Sequence, residues 1–321
     1  MEKNKFKLKL FNFNRDDDGV DYNEDRTPNL KFFFKLFGRK FSKILSLNIL
    51  TVFQVLPIVI CLYLYFMATP TTPTLIFPEY SALFGIMEAS SSSVNALNLS
   101  IFSFQLGLPT YNTYVYWVIG IIAVLFVVTY GWQKVGTVYV TRGLVRGDSV
   151  FVYSDFFYAI KKNLKQGFFM GFIDCLIMFV LGFDLYYFYT SEPNGFTNFM
   201  YVLIIALIIL YIIFRFYLYL MIVTFNIKIT KAFKNAFIFT VLGIKRNVMA
   251  LLGLLIVTAI ALIPIILFLP MGAGVTLVLP FIYYLASCSF IYTYAAYPII
   301  KKYMIDPVQP ETAENQETTE E

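Results

Sequence analysis

Apolar positions in this chain gather into six long runs instead of the alternating or striped patterns of a water-soluble domain. The runs lie near Leu45–Met67, Tyr114–Trp132, Gly167–Tyr189, Phe199–Phe225, Val248–Leu269 and Val275–Ile299. A helix of about 20 residues crosses a hydrocarbon core, and each run reaches or approaches that length. None shows the period-two alternation of a membrane barrel strand. The pattern predicts an all-α membrane protein with six transmembrane helices in three hairpins. The first run starts only at Leu45 and carries no small-residue cleavage pattern, so it reads as a span and not as a removed leader.

Composition points the same way. Hydrophobic residues make up 59% of the 321 positions and charged residues 14%, whereas a soluble domain carries roughly 45–50% and 25%. So few charges cannot cover a water-facing surface, which excludes a soluble enzyme and leaves no nucleic-acid partner expected. The cations are placed one-sidedly. All but one of the 25 Lys and Arg flank the runs on alternate sides, while loops 68–113, 190–198 and 270–274 hold none. Basic loops stay in the cytoplasm, so a multi-pass cell-membrane protein with both termini cytoplasmic is expected. Tyr111, Tyr114, Tyr116 and Trp117 mark one interface of the second span, and Tyr130 and Trp132 the other.

The polar segments complete the plan. Residues 1–28, with Asp16, Asp17 and Asp18 in a row, read as a disordered cytoplasmic tail, and 305–321 as a disordered acidic one. Between them, 29–304 form the transmembrane domain. Its extracytoplasmic loop, 68–113, reads as a partly ordered cap with a short interfacial helix at 80–88. In 29–44, Lys31, Lys35, Arg39 and Lys43 recur every four positions, with Phe34, Phe37, Phe41 and Ile44 on another side. Such a basic amphipathic helix suits the anionic inner leaflet, or a partner's groove, before the chain turns into the membrane. A second element precedes the third span: Phe156, Phe157, Ile160 and Leu164 make a face beside Lys161, Lys162 and Lys165, with Ser154 as N-cap. A third sets Ala232, Ala236, Phe237 and Val241 away from Lys231, Lys234 and Lys245. Together they outline a threefold plan of basic amphipathic segment followed by hairpin.

Candidate chemistry is sparse. There is no histidine, so imidazole acid–base catalysis and histidine-ligated metals are excluded. Cys61, Cys175 and Cys288 stand alone inside the runs, without metal-ligand spacing. No phosphate-cradling glycine loop and no nucleophile elbow occurs. The chain is therefore expected to hold no catalytic residue, cofactor or metal, and not to be an enzyme. Two ionisable residues fall deep inside spans, whereas Asp184 and Glu192 fall at the outer boundary. Asp174 lies roughly 13 Å beyond Lys165, and Arg215 roughly 16 Å before Asn226, at 1.5 Å per helical residue. Similar depths on successive helices predict an ion pair, read first as a staple between helices and second as a relay or substrate clamp. Asn48, Gln54, Gln133 and Lys134 are candidates to line an inner vestibule. Pro57, Pro264 and Pro280 should bend or break their spans.

Residues 29–190 resemble the YesL-like family of uncharacterised Firmicutes membrane proteins. The resemblance rests on Leu47-Asn48-Ile49-Leu50, Leu56-Pro57-Ile58, Gly131 and Gly136-Thr137-Val138-Tyr139-Val140-Thr141-Arg142. It continues through Leu144-Val145-Arg146-Gly147-Asp148, Ser154-Asp155-Phe156-Phe157 and Lys161-Lys162-Asn163-Leu164-Lys165-Gln166. The chain departs from the family at Gly131-Trp132-Gln133-Lys134-Val135-Gly136, which lacks a proline found there and gains a lysine. The resemblance implies six transmembrane helices and a setting near carbohydrate uptake, with ABC-transporter components as partners, and no catalytic residues. Two functions follow as expectations: an accessory or regulatory partner of a carbohydrate-uptake or envelope complex, or a small solute permease with a mid-membrane polar site.

Overall fold

The computed structural model describes residues 27–67, 73–75, 104–106, 113–225, 227–268, 276 and 278–307. They form α1 (Leu30–Met67), β1 (Pro73–Leu75), β2 (Phe104–Leu106), α2 (Thr113–Arg146), α3 (Val152–Lys162), α4 (Leu164–Thr190) and α5 (Gly195–Thr224). After these come α6 (Ile229–Leu242), α7 (Ile244–Phe268), α8 (Leu279–Ile300) and a π-helical turn, Lys301–Ile305. The chain divides into two compact units, Met1–Gln54 with Val127–Glu321, and Val55–Phe126.

Among the described residues, five helices are long and apolar enough to cross a membrane: Leu30–Tyr65, Val115–Arg146, Leu164–Thr190, Gly195–Thr224 and Ile244–Phe268. The sixth apolar run becomes α8, which falls outside that set because tyrosines, serines and a threonine dilute its hydropathy. Its environment explains the dilution. Ala286, Ser287, Ser289, Phe290, Thr293, Ala296 and Ile300 are buried between neighbouring helices, where small and hydroxylated side chains pack closely.

The core of the larger unit sits at its lysine- and arginine-rich end. There α5 is buried on every side from Phe216 to Val223, whereas Val202, Leu203, Ile205, Leu207, Ile209 and Leu210 are exposed. Phe216 stacks on Tyr292 of α8 at a centroid distance of 4.7 Å. A second cluster joins Leu36, Ile44 and Leu47 of α1 to Val140 and Leu144 of α2 and to Phe290 and Tyr294 of α8. In the smaller unit, β1 pairs antiparallel with β2, with Thr74 opposite Gln105.

Several expectations are revised. The basic segment 29–44 is no separate surface helix: it is continuous with the first span in α1. Its buried stripe is Leu36, Lys40, Ile44 and Leu47, while Phe34 is 68% exposed. No breaker separates the two parts, and a stripe at spacings of three and four keeps one face on the bundle. Ser154 is not the N-cap of α3. That position is Phe151, whose amide donates to Asp155 Oδ2 at 2.9 Å. The buried face of α3 is Val152, Phe156 and Ala159, leaving Phe157 and Leu164 exposed. The buried face of α6 is Ala232, Ala236, Phe239 and Thr240, leaving Phe237 and Val241 exposed. Pro57 and Pro264 lie within helices that continue through them. Pro280 opens α8 in its first turn, where the missing amide costs nothing. The proposed helix at 80–88 and most of both tails lie outside the described residues.

Candidate functional site

Glycine brings the site's helices together. A Cβ on Gly131 of α2 would lie 1.9 Å from the Gly167 carbonyl oxygen and 2.7 Å from the Gly171 Cα of α4. Backbones that close leave no room for any side chain, and Gly167 and Gly171 have the small-xxx-small spacing of tightly crossed membrane helices. On α5, Tyr211, Arg215 and Tyr219 recur every four residues and so share one face. That face meets α4 at Asp174.

The carboxylate of Asp174 has a fully buried side chain. Arg215 Nε lies 2.8 Å from its Oδ1 and donates to its Oδ2 at 3.1 Å. The Tyr211 hydroxyl donates to Oδ1 at 2.8 Å and the Tyr219 hydroxyl to Oδ2 at 2.7 Å. Arg215 Nη2 also donates to the Tyr130 hydroxyl of α2, and its guanidinium carbon stands 5.9 Å from the ring centroids of both Tyr130 and Tyr211. Desolvating a carboxylate costs several kcal/mol, and only a counter-charge with further hydrogen bonds offsets it. Asp174 has both. Three donors therefore surround its two oxygens.

Three of the four vestibule candidates, Asn48, Gln54 and Gln133, make bonds between helices. Asn48 is fully buried. Its amide donates to the Phe281 carbonyl and its oxygen accepts from the Ala286 amide at 2.8 Å, so one side chain of α1 bridges two backbone groups of α8. Gln54 accepts from Thr129 at 3.0 Å, and Gln133 donates to the Leu50 carbonyl at 3.3 Å, both fastening α1 to α2. Lys134 departs from the other three and belongs with the ion pair. Its ammonium is 5.5 Å from the Tyr130 ring centroid, and the charges it feels are those of Arg215 and Asp174. It makes no ion pair among the described residues. Two cations therefore share the Tyr130 ring, with one carboxylate nearby.

Of the basic-face residues, Lys31, Lys35, Lys161, Lys162 and Lys165 are exposed, while Arg39 and Lys43 are half-buried on α1. Among the described residues no group of three or more Cys, Asp or Glu could hold a metal, and the three cysteines are free. Sequence reasoning missed Tyr211 and Tyr219, whose four-residue spacing around Arg215 was the available signal. It also missed the contact of Thr141 on α2 with Thr293 and Ser289 on α8, at 3.1 and 3.4 Å.

Residues 112–185 match the family model described as "Protein of unknown function, DUF624". The match takes in α2, α3 and most of α4, hence Tyr130, Lys134 and Asp174 but not Arg215. No curated protein and no solved structure matches the chain. Its apolar helices and this similarity make it a multi-pass membrane protein.

Proposed function

We propose that the protein is a YesL-like, non-enzymatic component of the Firmicutes cell membrane, with both termini cytoplasmic. In this reading it is an accessory or regulatory partner of a carbohydrate-uptake or envelope complex. Six crossings in three hairpins fit this reading, with α8 as the last. At 22 residues and 1.5 Å per residue, α8 is about 33 Å long, enough for a core of about 30 Å. YesL proteins fall within the family matched over residues 112–185.

One observation carries the accessory reading: the interior acid Asp174 is already occupied. It is enclosed by Tyr211, Tyr219 and Arg215, and Asn48, Gln54 and Gln133 are engaged in bonds between helices. Polar groups spent on holding helices together do not line a solute path. The exposed lysines of α1 and α3 supply contacts to anionic inner-leaflet lipid, and ABC-transporter components are the proposed protein partners. The test is crosslinking in the native host followed by co-purification. Recovery of uptake or envelope components supports the role, and their absence under conditions that preserve known complexes overturns it.

A solute permease is the second reading, favoured by Lys134, which pairs with no carboxylate among the described residues and lies beside the Asp174–Arg215 pair. Proteoliposome uptake abolished by Lys134→Met, with the fold intact, would select it.

A further inference from the structure

The Arg146-Gly147-Asp148 block belongs to neither role above, yet it forms one wall of a pocket of about 410 Å³. Small-ligand sites have about this size. The wall is built by a helix end. The Asp148 amide donates to the Gly143 carbonyl at 3.0 Å and the Gly147 amide to the Leu144 carbonyl at 3.3 Å, with Gly147 at φ 84°. This closing motif needs a left-handed residue, and glycine takes that conformation without strain. It turns the chain so that Asp148 Oδ2 meets Arg146 Nε at 3.3 Å.

Among the described residues the pair engages Arg146 through Nε, which leaves the two terminal nitrogens of its guanidinium for a ligand. Across the pocket, Lys301 begins the π-helical turn and is exposed, with no ion pair among the described residues. Pro298, three residues earlier, has no amide to give to the Tyr294 carbonyl, so the helix ladder is already loosened there. Phe32 and Leu36 of α1 and Tyr297 of α8 provide an apolar wall. Tyr294 fixes the remaining side by donating to the Asn29 carbonyl at 2.8 Å, and Arg246 donates to the Pro28 carbonyl at 3.3 Å. Arg142 and Asp306 also stand within electrostatic reach of Tyr297. With Arg142, Arg146, Arg246 and Lys301 against Asp148 and Asp306, the surroundings stay positive.

We propose that this pocket binds a phosphate group carried on a partly apolar body. The free fork of Arg146 suits two phosphate oxygens and the Lys301 ammonium a third, while Phe32, Leu36 and Tyr297 take the apolar part. The phosphate can come from an anionic phospholipid headgroup or from a soluble phosphate ester. The site stands independently of the accessory and permease readings.

The full chain is placed in nanodiscs and probed in two arms. In one, phosphatidylglycerol retention in mixed nanodiscs is measured by native mass spectrometry. In the other, protein in zwitterionic nanodiscs is titrated with glycerol phosphate. Saturable binding is expected in at least one arm, and the responding arm identifies the source. The double variant Arg146→Gln/Lys301→Gln should weaken it about thirtyfold, taking about 1 kcal/mol per cation near a membrane surface. Asp148→Asn should tighten it about fivefold on the same scale, a gain that misfolding cannot imitate. Binding in neither arm, a double variant that binds as the wild type does, or an Asp148→Asn variant that binds no more tightly overturns the site.

Discussion

Arg215 meets Asp174 side-on, its Nε within 2.8 Å of Oδ1 and 3.1 Å of Oδ2. Each residue is the other's counter-charge in a place where water cannot substitute. Asp174→Ala and Arg215→Ala should each destabilise the protein by about 3–5 kcal/mol, because each leaves an uncompensated buried charge. The double variant should cost clearly less than the sum of the two. Unfolding in mixed micelles, followed by tryptophan fluorescence or helical circular dichroism, measures all three. Strictly additive losses would show that the pair carries no coupling.

Tyr219 is buried and donates to the same carboxylate at 2.7 Å. Tyr219→Phe keeps the ring and removes only the donor, so a loss of about 1.5–3 kcal/mol is expected for a hydrogen bond to a charged group. Tyr211 donates to the other carboxylate oxygen at 2.8 Å, so Tyr211→Phe should cost a comparable amount. No loss from either variant in the same unfolding assay would show that the carboxylate does not depend on these hydroxyls.

The Gly131–Gly171 crossing is a steric prediction. A Cβ on Gly171 would fall 2.3 Å from the Gly131 Cα, so Gly171→Ala must push α2 from α4 and should cost about 1–3 kcal/mol, as overpacking does. On the same helix, a Cβ added at Gly182 would meet nothing within 4 Å. Gly182→Ala should be neutral or stabilising, and the contrast is read from paired melting curves.

Asn48 makes a prediction about α8. Asn48→Ala strands the Phe281 carbonyl and the Ala286 amide that the side chain now joins. A loss of about 1–3 kcal/mol is expected for leaving buried polar groups unpaired. Hydrogen exchange should rise locally around residues 281–286, and exchange unchanged there would show that α8 does not depend on α1.

The ion pair was legible because two charges in otherwise apolar runs have few places to go. The tyrosines around it were not, since 24 tyrosines spread through the chain mask any one stripe. The amphipathic face of α1 failed for a related reason. Phe32, Phe33 and Phe34 are consecutive, so the period is ambiguous by one position, and contact with Phe290 and Tyr294 of α8 decides which rings turn inward. The small-residue spacing of Gly167 and Gly171 is visible in one dimension, but their partner Gly131 lies on another helix. The turn-forming Gly147 is likewise visible, and only the fold sets Lys301 opposite it.

The enclosure of α5 from Phe216 to Val223 has a consequence for biosynthesis. Part of the wall around that stretch is α8, including the ring of Tyr292 against Phe216, and α8 is made only after α6 and α7. A nascent chain halted before Leu279 therefore holds its fourth long helix with one flank bare, a natural handle for quality-control proteases. Once α8 is made, it closes that flank.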